Sequence, residues 1–327
     1  MNPKPFLLRP AYKDYLWGGE RLKTEYNKNT DVSPAAESWE CSIHPDGLSV
    51  VASGEYAGET LKDVLDKNPA FLGSHPDAGF GFPLLIKFLD AKEALSLQVH
   101  PDDEYAKKRE EGEHGKSEMW YVLDAEADSY LVYGFSHDLS REELERAIEN
   151  ETVDRHLNKI PVQKDDVFFV SPGTVHAIGD GVLIAEIQES SNVTYRLCDY
   201  GRTDKKGNKR ELHIDKALEV VDYSKSQLPR QPLRVLKYKR GVASEFLARC
   251  RYFEVFRMLI NTDEDIPFVE FASDELSFRV LLCIDGEGSM HYDSERLDFK
   301  KGDCVFVPAD SIKINISGKA TFLDVRA

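Results

Sequence analysis

Cysteine is scarce and scattered. The chain has five in 327 residues, at positions 41, 198, 250, 283 and 304, with no C-x-x-C pair among them. An odd, widely spaced set argues against a disulfide framework and against a cysteine-rich zinc site. The five read as small apolar core residues. Positive charge is also in deficit: 42 Lys and Arg face 58 Asp and Glu, for a net charge of −16. Such a surface repels nucleic acid and anionic membranes at long range, so neither is expected as a partner. A small anionic substrate stays open, because salt screens surface charge beyond about 8 Å and a local basic cluster can dominate inside a pocket. Long hydrophobic runs are missing too. Nothing approaches the roughly 20 apolar residues of a membrane helix, and the opening MNPKPFLLRPAYKDY has no apolar stretch of signal-peptide length. The expected location is cytoplasmic.

What the chain does have is short strands. LLIKFLD (84–90), ALSLQVH (94–100), EMWYVLD (118–124), SYLVYGF (129–135), DDVFFVS (165–171) and GVLIAEIQ (181–188) are rich in β-branched and aromatic residues. Turns are signalled at 45–47, 79–81, 172–173 and 179–181 by Pro, Gly and Asp. Three helices are expected. The segment 139–150 opens on Ser140 with Glu143 completing a capping box, 60–68 is capped by Thr60, and 213–224 has apolar residues at helical spacing. The basic, proline-containing stretch 225–241 reads as a linker, after which strands resume to the end of the chain. Many short strands with few helices predict a mostly β protein built as two jelly-roll barrels. KKGDCVFVPAD (300–310) echoes VQKDDVFFVSPGTVH (162–176), a repeat spaced by about 130 residues that suggests duplication. The second copy ends in Ala309-Asp310 where the first continues to His176, so no metal ligand is expected there.

Two histidines stand out by context. His100 ends an apolar strand before Pro101, and His176 ends the P-G-T-V-H turn, with Glu118 opening a strand between them. Catalytic zinc takes three such donors and keeps an open position. Two histidines and a glutamate also suit non-haem iron, so an oxygenase stays open, as does a barrel that binds without chemistry. Lys87 lies in an apolar strand, where a lysine is rarely buried without a partner or a task. Glu40 and Asp90 are its expected partners if the role is structural. Trp120 and Tyr121 alternate along one strand and cannot both face a pocket. Trp17, followed by Gly18-Gly19, is the expected rim residue.

A histidine strand, a glutamate soon after and a P-G-x-x-H turn resemble a cupin. The longer run FPLLIKFLDAKEALSLQVHPDDEYA (82–106) resembles type I mannose-6-phosphate isomerases of the short bacterial form. So do LWGGERL (16–22), AESWECS (36–42), GKSEMWYVL (115–123), PGTVHAIGDG (172–181) and TYRLCDYGR (194–202). The resemblance implies two cupin-type barrels: a catalytic domain over 1–224, the linker, and a lobe over 242–327 without metal ligands. It implies one zinc per chain on His100, Glu118 and His176, with Gln98 as a further donor candidate and Arg196 in catalysis. It also implies a sugar-phosphate substrate interconverted between mannose and fructose 6-phosphate. Lys87, Lys116, Arg196 and Arg202 are cations within these motifs, and Lys87 and Lys116 are the expected substrate-binding residues. Where the longer enzymes carry an aspartate four residues before that arginine, this chain has Asn192, which cannot act as a base. The oligomeric state is not legible.

Overall fold

The computed structural model describes residues 2–75, 81–203, 207–227, 229 and 231–327. Most of the turn expected at 79–81 lies outside the described residues. The N-terminal half is a barrel of two antiparallel sheets. In spatial order, the first has six strands: Val167–Val170, Glu118–Ala125, Val182–Glu189, Leu84–Ala91, Glu37–Cys41 and Ala11–Lys13. The second has five: Tyr195–Cys198, Leu97–Val99, His176–Ile178, Tyr130–Phe135 and Leu157–Pro161.

Burial explains the sequence texture of these strands. Leu84–Ala91 and Val182–Glu189 are buried at every position. Both faces of the six-stranded sheet are covered, so the strands read as continuous apolar runs rather than as an in–out alternation. Inside the barrel, Leu89, Trp120, Val122, Leu131, Phe168, Ile178 and Ile184 pack together. The outer face of the five-stranded sheet, with Leu97, Val99, Val132 and Leu197, is covered by Leu144 and Ala147 of helix Arg141–Glu149 and Ala217 and Leu218 of helix Ile214–Val220.

The C-terminal half is built on a ten-stranded sheet with its own apolar interior, including Met258, Leu281, Met290, Val305, Ile316 and Phe322. Its opposite face packs on the six-stranded sheet. Ile86, Phe88, Met119 and Ile187 on one side and Phe253, Phe278, Val280, Phe306 and Val325 on the other form one continuous core. The N-terminal strand Phe6–Arg9 crosses between halves and pairs with Cys304–Val307, placing Phe6 opposite Phe306. Within the stretch read as a linker, Lys237–Lys239 forms an edge strand against 242–244.

The expected helices are present. Thr60 accepts a hydrogen bond from the Asp63 amide at the start of Leu61–Lys67, and Ser140 and Glu143 make both bonds of the capping box. Two short helices were not anticipated, Arg21–Glu25 and Asp103–Arg109. Among the described residues no helix is long and apolar enough to cross a membrane.

Candidate active site

The five-stranded sheet sets a row of side chains on its inner face. Gln98 stands directly opposite His176 on one side and Arg196 on the other, and His176 in turn stands opposite Tyr133. Directly opposed residues share a face, and His100 follows two positions after Gln98 on that same face. Glu118 comes from the six-stranded sheet, opposite Gln188 and Val170. The two sheets therefore converge on one end of the barrel.

Backbone bonds lace the loops there. Gly173 N–H donates to His100 O at 2.9 Å, and Lys116 N–H donates to Pro101 O at 3.0 Å. The Pro172-Gly173 turn needs a backbone that suits glycine, with φ of 83° at Gly173. His176 Nδ1 donates to Thr174 O at 2.8 Å, which fixes the tautomer and leaves Nε2 as a lone-pair donor.

His100, Glu118 and His176 each present a ligand atom within 4.8 Å of the others, and all three are buried. Among the described residues this is the only such group of His, Cys, Asp and Glu. Glu118 Oε1 lies 3.3 Å from His176 Nε2, and Oε2 lies 3.6 Å from His100 Nε2. Neither Nε2 atom nor Oε1 has a hydrogen-bond partner. Orphaned buried donors are rare and costly unless a ligand satisfies them. Burial lowers the His176 pKa to about 4 and holds His100 well below its ordinary value, with Lys116 adding to both effects. Both rings are thus neutral, as metal ligation requires. Burial pushes Glu118 up to about 7 against the pull of Lys116. The pull of Lys116 does not offset the burial of this carboxylate, and the donor set fits a divalent ion.

Lys116 is buried, its Nζ 2.9 Å from Glu118 Oε2. Lys87 is also buried, but its partners differ from those expected. Its Nζ is 3.0 Å from Glu186 and 3.9 Å from Glu37. Register is the reason, since Lys87 stands directly opposite Glu186. Asp90, three residues on, points to the other face and binds Arg21 at 2.7 Å, while Glu40 binds Lys28 at 2.7 Å. Arg196 is half-buried, its Nε has no hydrogen-bond partner, and it forms no ion pair among the described residues. Burial and the neighbouring Arg210 lower its pKa, yet an arginine stays protonated. Arg202 is occupied elsewhere, by Asp199 and by Ala94 O at 2.6 Å.

The aromatic residues divide by face. Trp120 donates to Glu186 at 3.1 Å and meets His176 edge-on at 5.4 Å, while Tyr121 donates to Asp165 at 2.6 Å on the far side of the sheet. Trp17 is not a rim residue. It is 3% exposed and packs among Ala36, Leu89 and Trp120, because the backbone at Gly18 and Gly19 lies directly against Ala36 and Asp90. Tyr15 beside it was missed. Burial and Glu37 raise its phenol to about 12, while Lys87 and Arg196 from opposite sheets pull the other way. Glu186 was missed as well, although a glutamate inside GVLIAEIQ, on the inward parity of Ile184, carried the signal. Asn192 donates to Asp46 Oδ2 at 2.7 Å, so a carboxylate stands next to the amide.

Comparison with known proteins matches this architecture along the whole chain. The phosphomannose isomerase type I catalytic domain model matches residues 6–161, and the mannose-6-phosphate isomerase cupin domain model matches 243–326. The chain is 35% identical to mannose-6-phosphate isomerase ManA of Bacillus subtilis, covering 98% of each chain. It is 34% identical to mannose-6-phosphate isomerase of Streptococcus mutans, covering 93% of this chain and 92% of that one. The crystal structure of mannose 6-phosphate isomerase from Bacillus subtilis superposes with a TM-score of 0.89 at 33% identity, covering 99% of this chain and 100% of that one.

Proposed function

The chain belongs to the type I phosphomannose isomerase family, and we propose that it interconverts mannose 6-phosphate and fructose 6-phosphate with one zinc ion held by His100, Glu118 and His176. The observation that carries the metal part is the buried donor triad with its unpartnered ligand atoms. Gln98 shares the sheet face of the two histidines and is the candidate fourth donor.

The reaction moves a proton between C1 and C2 of the sugar through an enediol. It needs a base, an acid and stabilisation of negative charge on the carbonyl oxygen. Bound zinc supplies Lewis-acid polarisation of that oxygen. Arg196 has an unpartnered Nε and fixed positive charge, and it donates to the same developing charge. Lys116, beside the triad, binds a substrate oxygen. Lys87, held by Glu186 and Glu37, completes the cationic lining for the phosphorylated sugar. The site is water-poor, since the triad residues are at most 1% exposed, and a dry site strengthens each of these interactions.

The test is a coupled assay of the purified, zinc-loaded protein on mannose 6-phosphate, with Arg196→Ala alongside. Turnover by the wild type and a loss of about a hundredfold or more in kcat for the variant are expected. Absence of turnover refutes the proposal. Stoichiometric iron with oxygen consumption would point to an oxygenase.

A further inference from the structure

Residues 115–118 carry Lys116 and Glu118, so the placement of this short segment fixes two charged groups of the site. Part of its support comes from its own barrel. Ser117 N–H donates to Glu189 Oε1 at 2.6 Å, and Glu189 N–H returns a bond to Ser117 O at 3.2 Å. The first residue is held differently. Gly115 N–H donates to Asp103 Oδ1 at 3.0 Å. The other oxygen of that carboxylate accepts the phenol O–H of Tyr252, a residue of the C-terminal half. There is no slack at this junction. A Cβ at position 115 would lie 2.4 Å from Asp102 C and from Asp103 N. Tyr252 is itself anchored, because the next residue, Phe253, is buried in the core between the halves, with its ring 6.2 Å from Phe169.

From this geometry we propose that Tyr252 and Asp103 are positioning residues, through which the C-terminal half braces the 115–118 segment and so sets Lys116 and Glu118 against the two histidines. The proposal rests on the reading of His100, Glu118 and His176 as the metal site. It gives the C-terminal half a part in the reaction without contact with substrate. One carboxylate bridges two donors from different halves, so removing the phenol loosens the carboxylate that holds Gly115. A hydrogen bond to a charged group contributes enough that its loss changes a rate or population by roughly tenfold.

The experiment compares the metal-loaded full chain with Tyr252→Phe and Asp103→Ala by amide hydrogen exchange over 113–118 and by steady-state kinetics on mannose 6-phosphate. Tyr121→Phe is the control. It removes a different contact between the same halves, the bond of Arg257 to the Tyr121 phenol at 3.0 Å. Tyr252→Phe is expected to speed exchange over 113–118 and lower kcat/KM, each by roughly tenfold. Asp103→Ala is expected to exceed it in both readouts, and Tyr121→Phe to leave both near wild type. Unchanged exchange or unchanged kcat/KM in Tyr252→Phe overturns the proposal, and so does an equal loss in Tyr121→Phe. Should the wild type fail to turn over the sugar, the functional reading fails, while the exchange comparison still decides whether the brace holds the segment.

Discussion

Replacing Lys87 with methionine tests whether the charged row inside the barrel is a coupled unit. Lys87 and Glu186 are 4% exposed each, with Nζ 3.0 Å from the carboxylate, and Glu37 stands 3.9 Å away. At an effective dielectric of about 20, charges 3.0 Å apart attract by about 5.5 kcal/mol. Desolvation of both groups offsets much of this, so the pair is near neutral against an apolar replacement. Deleting one partner is different, because Glu186 stays buried with only the Trp120 indole as a donor. Burial alone would raise the Glu186 pKa, and Lys87 is the main influence that instead holds it low. Lys87→Met should therefore cost about 3–5 kcal/mol. The double variant Lys87→Met/Glu186→Gln should cost clearly less than the two single losses added together, with a coupling of about 1–3 kcal/mol. Urea unfolding of all four proteins at pH 7 measures the cycle. Strict additivity, or a loss below about 1 kcal/mol for Lys87→Met, would show that the charged row is not a coupled unit.

Other expectations are independent of that pair. Burial raises the Glu189 carboxyl from 4.5 to about 7, so the native state binds the extra proton between those values and stability falls as pH rises through that window. Glu189→Gln keeps an acceptor for Ser117 N–H and should gain about 3 kcal/mol relative to wild type between pH 4.5 and pH 8, read by urea unfolding at both. Phe306 stacks between Phe6 and Phe278 at 5.3 Å from each, and Phe306→Ala should lower unfolding free energy by about 3–5 kcal/mol. Gly115→Ala places its Cβ 2.4 Å from backbone atoms. It should cost at least about 1–3 kcal/mol in urea unfolding and reduce turnover with it.

Local signals were legible in the sequence and long-range pairing was not. Ser140 with Glu143 and Thr60 marked helix starts because a cap acts within a few residues. Asp103–Arg109 also had its signals, with the Asp102 cap and Lys107, Lys108 and Arg109 in the last turn. Its only buried residue is Ala106, so no apolar stripe at helical spacing marked it. The pairing of Phe6–Arg9 with Cys304–Val307 spans nearly the whole chain, and no local pattern encodes it. His100, Glu118 and His176 could be singled out because each sits where a strand meets a turn. The structure gathers them into one buried group. The partner of Lys87 depended on cross-strand register, which period-two alternation does not specify, so Glu186 replaced the expected Glu40 and Asp90. Trp17 was misread because the neighbouring glycines suggested an open loop, whereas they permit close packing against Ala36 and Asp90.

If His100, Glu118 and His176 hold the one metal ion the isomerisation needs, turnover follows zinc occupancy of that triad. The most direct test titrates zinc into chelator-treated protein while mannose 6-phosphate turnover is followed. No turnover is expected without metal, with a linear rise that saturates at one zinc per chain. Full turnover by the metal-free protein, or saturation at any other stoichiometry, would contradict that role of the triad.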